Sequence, residues 1–162
     1  MTDLNRVFIH GLESSSQGNK ARYFRQRYPG MIIGDFQGPL QDRLKTLDGL
    51  IAGKRDLLLV GSSFGGLMAA IYTCKHPEAV KRLILLAPAL DLEDFNPFRD
   101  MKLDVPATVF HGKNDDVVPL EPVRRIAERI FTNMSFYVLD DDHPLSATFE
   151  TLDWDELLLN GL

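Results

Sequence analysis

The chain has 162 residues, 44% of them hydrophobic and 25% charged, which is the composition of a globular protein with room for one core. Lys and Arg number 18 against 23 Asp and Glu, and the net charge of -5 argues against a nucleic-acid partner, which would need a basic surface. The single cysteine excludes an internal disulfide and a thiolate zinc cage.

Short apolar runs alternate along the chain with longer amphipathic stretches. The apolar runs predict strands at residues 7–9, 31–33, 57–60, 82–87, 107–110 and 135–139. The amphipathic stretches predict helices at 19–28, 39–53, 65–75, 123–130 and 148–159. Residues 88–105 are irregular and predict a long loop with at most one helical turn. Strands that alternate with helices predict a doubly wound, mostly parallel α/β sheet of about six strands, with helices on both faces.

The first residues of the sequence and its apolar runs predict the cellular location. The longest apolar run, Leu83–Ala87, is ended by Pro88 and falls far short of the roughly 18 residues that a membrane span needs. Residues Met1–Arg6 lack the basic patch and long apolar stretch of a signal peptide. We therefore expect one cytoplasmic domain over residues 1–162, with no membrane partner.

The sharpest local motif follows the third predicted strand, where Gly61, Ser63 and Gly65 form the pattern G-x-S-x-G before a helix. Such a turn holds its central residue in a strained conformation and lifts the serine hydroxyl clear of the sheet. A glycine-rich phosphate-binding turn is the alternative, but Gly66-Leu67 stands where the Walker pattern has Lys-Ser/Thr, and G-x-G-x-x-G spacing is absent.

A serine nucleophile needs a base, and the base needs a carboxylate to orient it. His143 follows the last predicted strand, so it should lie at the same edge of the sheet as Ser63. Asp115 and Asp116 follow the strand before it, and these two compete with Asp140–Asp142 as partners of His143.

Four motifs resemble those of the α/β-hydrolase family. They are His10-Gly11, the turn 61–66, the loop 111–119 and Asp142-His143, in the order Ser…Asp…His. The resemblance assigns the acid to Asp115, and it implies a serine hydrolase acting on an ester or thioester. Residues 8–21 are similar to the YqiA-like branch of compact bacterial esterases.

The resemblance also implies an oxyanion hole formed by the backbone N–H groups of Leu12 and Phe64. The usual fold carries a cap domain where this chain has residues 88–106, which are too few for one. We therefore expect an open site with minimal or no cap. Phe95 and Phe98 either roof that site and bind substrate or pack into the core.

No cofactor and no metal are expected, and the partner is a small-molecule ester or thioester. A metal site built from His10 and His111 is the weaker alternative, because both stand in His-Gly pairs that the hydrolase resemblance already explains. Two alternative functions stay open: a hydrolase-like binding protein without activity, and the same triad used by a peptidase, an acyltransferase or a carbon–carbon hydrolase. Cys74, beside apolar residues of the helix after Ser63, is expected in the core.

Overall fold

The computed structural model describes residues 3–160, in which strands and helices alternate. The strands are β1 (Asn5–Ile9), β2 (Ile32–Ile33), β3 (Leu57–Ser62), β4 (Val80–Leu86), β5 (Ala107–Gly112) and β6 (Met134–Leu139). The helices are α1 (Asn19–Arg27), α2 (Leu40–Leu50), α3 (Phe64–Lys75), α4 (Leu120–Ile130) and α5 (Trp154–Leu159). None of these helices has the length and apolarity needed to cross a membrane.

The strands form one sheet in the order β2-β1-β3-β4-β5-β6, and every neighbouring pair is parallel. The predicted doubly wound sheet is confirmed, and it is wholly parallel rather than mostly so. From β1 the chain runs outward to β2 and then returns to the other side of β1 to form β3. This reversal opens a crevice beyond the carboxyl ends of β1 and β3, which is where open α/β sheets bind their ligands.

Helices cover both faces of the sheet because strand side chains alternate between two apolar cores. One core packs α2, α3 and α4 against one face, and Val7, Leu59 and Leu85 contribute to it. The other packs α1 and α5 against the opposite face, and Phe8 and Val60 belong to it. Both faces are therefore buried, as the uninterrupted apolar runs of β3 and β4 predict.

The prediction of one closing helix over residues 148–159 is wrong. A 3₁₀ turn (Phe149–Thr151) comes first, and α5 starts afresh at Trp154. The Asp153 side chain accepts a hydrogen bond from the backbone of Glu156 and caps α5, while the Trp154 indole donates to the carbonyl of Phe149 at 2.8 Å. The break lets Phe149 and Trp154 both pack against α1, which one straight helix would not allow.

The connection from β4 to β5 contains one 3₁₀ segment, Glu93–Phe98, and a single bridge from Leu103 to Phe131. The prediction of a long loop with a minimal cap is confirmed, but the helical part spans six residues, which is two 3₁₀ turns rather than one. Within residues 3–160, this connection adds no α-helix to the domain.

Candidate active site

Ser63 stands at the sharp turn between β3 and α3, with backbone angles φ 56° and ψ -114°. A non-glycine residue rarely adopts a positive φ, and the surrounding contacts hold it there. A side chain at Gly61 would lie 2.8 Å from the Cα of Gly66, and one at Gly65 would lie 2.5 Å from the carbonyl oxygen of His10. The two glycines are therefore required by close backbone approach, as the motif predicts.

The side chains of Ser63, His143 and Asp115 form one hydrogen-bonded chain. The Oγ atom of Ser63 lies 3.0 Å from Nε2 of His143, and Nδ1 of the same ring lies 2.7 Å from Oδ2 of Asp115. These groups are separated by 80 and 28 residues along the chain, and they meet because β3, β5 and β6 end at one edge of the sheet. The Asp115 side chain is fully buried, whereas that of His143 remains 17% exposed.

Within residues 3–160, none of the competing carboxylates is hydrogen-bonded to His143. Asp116 is exposed, and Asp140 is exposed and pairs with Lys113. Asp142 accepts hydrogen bonds from the backbone and hydroxyl of Ser146. Asp115 is thus the carboxylate that contacts His143, and its second oxygen is fixed by the backbone N–H groups of Val117 and Val118 at 2.9 and 2.8 Å.

His111 lies beside Asp115 and is fully buried. Its Nε2 atom lies 3.0 Å from the carbonyl oxygen of Val118 and 3.3 Å from Oδ2 of Asp115. Burial lowers the pKa of His111, although the Val118 carbonyl and the Asp115 carboxylate both act to raise it. A neutral His111 that donates through Nε2 supports Asp115 without competing for its charge.

The loop after β1 lies against Ser63. A Cβ atom at Gly11 would stand 3.4 Å from the Cβ of Ser63, and Leu12, the next residue of the loop, lines the same cavity as Ser63. The Phe64 N–H opens α3 and has no partner within that helix. Within residues 3–160, neither N–H donates to a protein acceptor, which leaves both for a ligand.

His10 holds the same loop in place. Its Nε2 atom accepts a hydrogen bond from the Phe36 backbone at 3.0 Å, so Nδ1 carries the proton and donates to the carbonyl of Gly11 at 2.7 Å. His111 has different partners, and within residues 3–160 no group of three or more His, Cys, Asp or Glu side chains is arranged to hold a metal ion.

A cavity of about 560 Å³, here called the Ser63 cavity, opens beside the hydroxyl. Leu12, Phe64, Leu92 and Val117 supply apolar parts of its wall. The expectation that Phe95 and Phe98 bind substrate is corrected by the structure. Phe95 is fully buried in the core under α3 and Phe98 packs against that core, so neither lines the cavity. The apolar packing of their 3₁₀ segment turns both rings inward.

Comparison with known proteins identifies the fold. The sequence profile described as alpha/beta hydrolase fold matches residues 13–105, which is more than half of the chain. The chain belongs to the alpha/beta hydrolase family. A search of curated proteins found no match.

Solved structures agree with this assignment. Alpha/beta hydrolase domain-containing protein 10 from mouse has a TM-score of 0.69 and 19% identity, covering 86% of this chain and 82% of its own. Est1E from Butyrivibrio proteoclasticus has a TM-score of 0.71 and 18% identity, with coverages of 91% and 82%. A monoacylglycerol lipase from Paleococcus ferrophilus has a TM-score of 0.69 and 15% identity, with 85% of each chain covered. Identities this low establish a shared fold, and with the family match they support hydrolase activity.

Sequence reasoning missed Asp141, which shapes the loop that carries His143 in this hydrolase. The buried carboxylate accepts hydrogen bonds from the backbone of Asp142 and Ala147 and from the backbone and hydroxyl of Thr148. Burial alone would raise the pKa of Asp141, but these hydrogen bonds outweigh it and lower the pKa to about 2. In the sequence, the Asp-rich run predicts only partners for His143, and Thr148, which follows that run, is the signal for a loop anchor.

Gly112 brings the same loop into position. A side chain there would lie 2.5 Å from the carbonyl oxygens of both Asp141 and Asp142. The His111-Gly112 pair therefore allows the chain after β6 to pass directly over the end of β5. The motif itself carried this signal, since a glycine at the end of a strand often marks a close backbone approach.

Arg43 is the other residue that the sequence did not single out. It is 5% exposed, although α2 presents it among charged neighbours in the sequence. Its Nε donates to the carbonyl of Gly38 at 2.8 Å, its Nη2 lies 3.5 Å from the carbonyl oxygen of Leu12, and the guanidinium stands 5.4 Å from the centre of the Phe64 ring. The Arg43 side chain thus contacts both Leu12 and Phe64, the two residues whose backbone N–H groups have no protein acceptor within residues 3–160.

Proposed function

We propose that this α/β hydrolase is a serine hydrolase that cleaves a carboxylic ester or thioester through an acyl-enzyme. The proposal rests on one observation, the hydrogen-bonded chain from the Ser63 hydroxyl through His143 to Asp115. Those distances, 3.0 and 2.7 Å, are the separations at which proton transfer to and from an imidazole proceeds.

In the first stage Ser63 Oγ forms a bond to the substrate carbonyl carbon while His143 Nε2 takes the hydroxyl proton. Asp115 holds the ring through Nδ1 and stabilises the imidazolium. The Leu12 and Phe64 N–H groups bind the oxyanion, a contribution worth roughly 2.7–4 kcal/mol per donor in related sites. The bond to the leaving oxygen or sulfur then breaks, and His143 returns the proton to that atom.

In the second stage water attacks the acyl-enzyme, and His143 accepts the proton of that water. The acid departs and Ser63 regains its proton. The short β4–β5 connection leaves the site open to water, which favours hydrolysis over transfer of the acyl group to another acceptor. The short connection and the resemblance of residues 8–21 favour a compact, single-domain esterase of the YqiA-like branch.

The decisive experiment replaces Ser63 with alanine. We expect Ser63→Ala to lose turnover of p-nitrophenyl acetate and covalent labelling by a fluorophosphonate probe, because no hydroxyl remains to be acylated. Ser135→Ala, an exposed serine on β6, is the matched control and should keep both. Full turnover by folded Ser63→Ala would remove the nucleophile assignment.

Two neighbouring aspartates test the acid in the same assay. Asp115→Asn should lower kcat by roughly 10³–10⁴-fold, because an amide cannot hold the His143 tautomer or stabilise its charge. Asp116→Asn, one residue along and exposed, should leave kcat near the parent value. A binding protein without activity predicts no labelling in any variant, and profiling amides, esters and acyl acceptors separates the peptidase and transferase alternatives.

A further inference from the structure

A second cavity adjoins the Ser63 cavity. Its volume is about 590 Å³, and it lies between the first turns of α1 and the chain that follows His143, so it is here called the α1 cavity. Asn19, Lys20 and Pro144 line both cavities. Because Pro144 directly follows His143, the α1 cavity begins one residue beyond the imidazole.

Lys20 stands at the boundary between the two cavities. Its ammonium donates one hydrogen bond, to the carbonyl oxygen of Pro144 at 2.5 Å, and lies 5.3 Å from the centre of the Phe149 ring. An ammonium has three N–H donors, so two are left for a ligand. Within residues 3–160 no carboxylate lies within 4.0 Å of this nitrogen.

The cation is partly removed from water and incompletely compensated. Burial lowers the pKa of Lys20, while the more distant charges of Asp142 and Asp141 act to raise it. Both carboxylates are already held by the backbone and hydroxyl groups of Ser146 and Thr148 in their own loop. Arg22 adds a second cation to the wall of the α1 cavity, and the exposed Glu150 adds one carboxylate.

The reaction geometry says which part of a substrate would reach this place. His143 returns its proton to the leaving oxygen or sulfur, so the leaving group must lie beside the imidazole. The α1 cavity adjoins that place, because Pro144, the residue after His143, lines both cavities. The acyl part of the substrate then occupies the rest of the Ser63 cavity, whose wall includes the apolar side chains of Leu12, Leu92 and Val117. Glu13 and Asp91 also line this cavity, and their carboxylates would repel an anionic acyl group.

We propose that the α1 cavity is a leaving-group subsite in which Lys20 binds a carboxylate or phosphate carried by the alcohol or thiol part of the substrate. The enzyme would therefore prefer esters or thioesters with an uncharged acyl group and an anionic leaving group. This inference rests on the proposed function for the identity of the leaving group. A charge-assisted hydrogen bond in such a partly desolvated place is among the stronger polar contacts in proteins.

The test compares three acetyl esters that differ in the charge of the leaving phenol: 4-acetoxybenzoate, 4-acetoxyphenyl phosphate and the neutral 4-acetoxybenzamide. The measured quantity is the ratio of kcat/KM for each anionic ester to that for the neutral one. Lys20→Met should lower this ratio about tenfold, and Lys20→Arg should keep most of it. Whichever anion loses more identifies the group that the subsite prefers.

Lys45→Met is the matched control, because it removes the same charge from an exposed position on α2. Its ratio should equal that of the parent, since the ratio cancels effects on the triad or on overall charge. A general disturbance of His143 through Pro144 would slow all three esters equally and leave the ratio unchanged. An unchanged ratio in folded Lys20→Met overturns the subsite.

A binding measurement separates this inference from the proposed function. Calorimetric titration with 4-hydroxybenzoate and with 4-hydroxybenzamide needs no turnover. Binding of the anion that is lost in Lys20→Met and kept in Lys45→Met supports the subsite even if no ester is cleaved. Cleavage of neutral and anionic esters alike, with no anion binding, would leave the hydrolase proposal standing and overturn the subsite.

Discussion

Ser63 is held in a backbone conformation that a non-glycine residue adopts at a cost of about 1–3 kcal/mol. The strain persists because β3 and α3 leave no room for a looser turn between them. The hydroxyl is thereby presented to His143 before any substrate arrives. Pre-organisation of this kind lowers the reorganisation that the reaction itself must supply.

Arg43 allows a test of whether the backbone N–H groups of Leu12 and Phe64 contribute to catalysis. Arg43→Met keeps the length of the side chain but loses the contacts to the carbonyls of Gly38 and Leu12 and the charge over Phe64. We expect kcat to fall about tenfold with KM little changed, because in the proposed mechanism the N–H groups of Leu12 and Phe64 bind the oxyanion of the transition state more strongly than they bind the substrate. Steady-state kinetics with p-nitrophenyl acetate measures the split.

The exposed Arg55 provides the control, and Arg55→Met should match the parent in both constants. A merely structural Arg43 would lower the thermal midpoint of Arg43→Met and leave the kcat of its folded fraction intact. That outcome would remove the positioning role.

At the scale of elements, the contact between β1 and α3 determines whether the site can form. Gly65, the second residue of α3, lies directly against the end of β1, and a Cβ there would overlap the carbonyl oxygens of Ile9 and His10. Backbone atoms in a sheet cannot move aside as a flexible side chain can. The helix and the strand would have to separate, and with them Phe64 and Leu12.

We therefore expect Gly65→Ala to lower the free energy of unfolding by about 3 kcal/mol or more. Gly49→Ala in α2 is the opposite case, since nothing lies within 4 Å of its added Cβ. That substitution should raise the free energy of unfolding by about 0.5–1 kcal/mol through helix propensity alone. Urea unfolding of both variants measures the change in the free energy of unfolding. Changes of the same sign and size in the two variants would contradict the steric explanation.

The loop between β6 and α5 depends on Asp141, and its contribution depends on pH. The folded state lowers the pKa of this carboxyl to about 2, below the value near 3.9 of an unfolded chain. The folded protein then binds the proton less tightly than the unfolded one, so the stabilisation is complete above about pH 4 and disappears as pH falls toward 2. Asp141→Asn should therefore lower the free energy of unfolding at pH 7 by about 2 kcal/mol relative to the parent. This difference from the parent should become smaller as pH falls from about 4 toward 2.

Urea unfolding at pH 7, 4 and 3 measures this difference. Asp140→Asn is the neighbouring control, because Asp140 is exposed and has surface contacts to Lys113 and Asn114, so its effect should stay within about 0.5 kcal/mol. A constant gap between Asp141→Asn and the parent at all three values would contradict the assigned role of the ionised carboxylate.

At the scale of the whole molecule, Cys74 reports on global unfolding. It is the one cysteine of the chain, it lies on the core-facing side of α3 as expected, and it is 5% exposed. Burial raises the pKa of its thiol to about 12, so the reactive thiolate is scarce in the folded protein. Iodoacetamide at pH 8 should label native protein at a small fraction of the rate seen in denaturant.

A Lys45→Cys variant gives the reference for an exposed thiol, since this α2 position faces solvent. It should be labelled at once at its new cysteine, while Cys74 reacts only as fast as the molecule opens. Rapid labelling of Cys74 in the native protein would place a local opening around α3, and the core would then be looser than its packing indicates.

The amino-acid sequence determined what depends on local pattern. Uninterrupted apolar runs indicated strands buried on both faces, and the spacing of Gly61, Ser63 and Gly65 indicated a tight turn, because both follow from backbone geometry over a few residues. The resemblance to known motifs placed Asp115 ahead of its neighbours and brought Leu12 and Phe64 to notice. The catalytic roles of these residues stay predictions until the variants are measured.

Only the tertiary structure decided which distant groups meet. Five acidic residues in two loops carried the same local signal, and Asp115 was distinguished by the crossing of the chain over Gly112. The sequence does not decide whether Phe95 and Phe98 form a roof or join the core. It gives no sign that Arg43 is buried, and it predicts a last helix that runs on through Asp153. Each of these outcomes depends on packing between segments far apart in the chain, and that packing is set by the shape of the assembled sheet and its helices rather than by any local pattern.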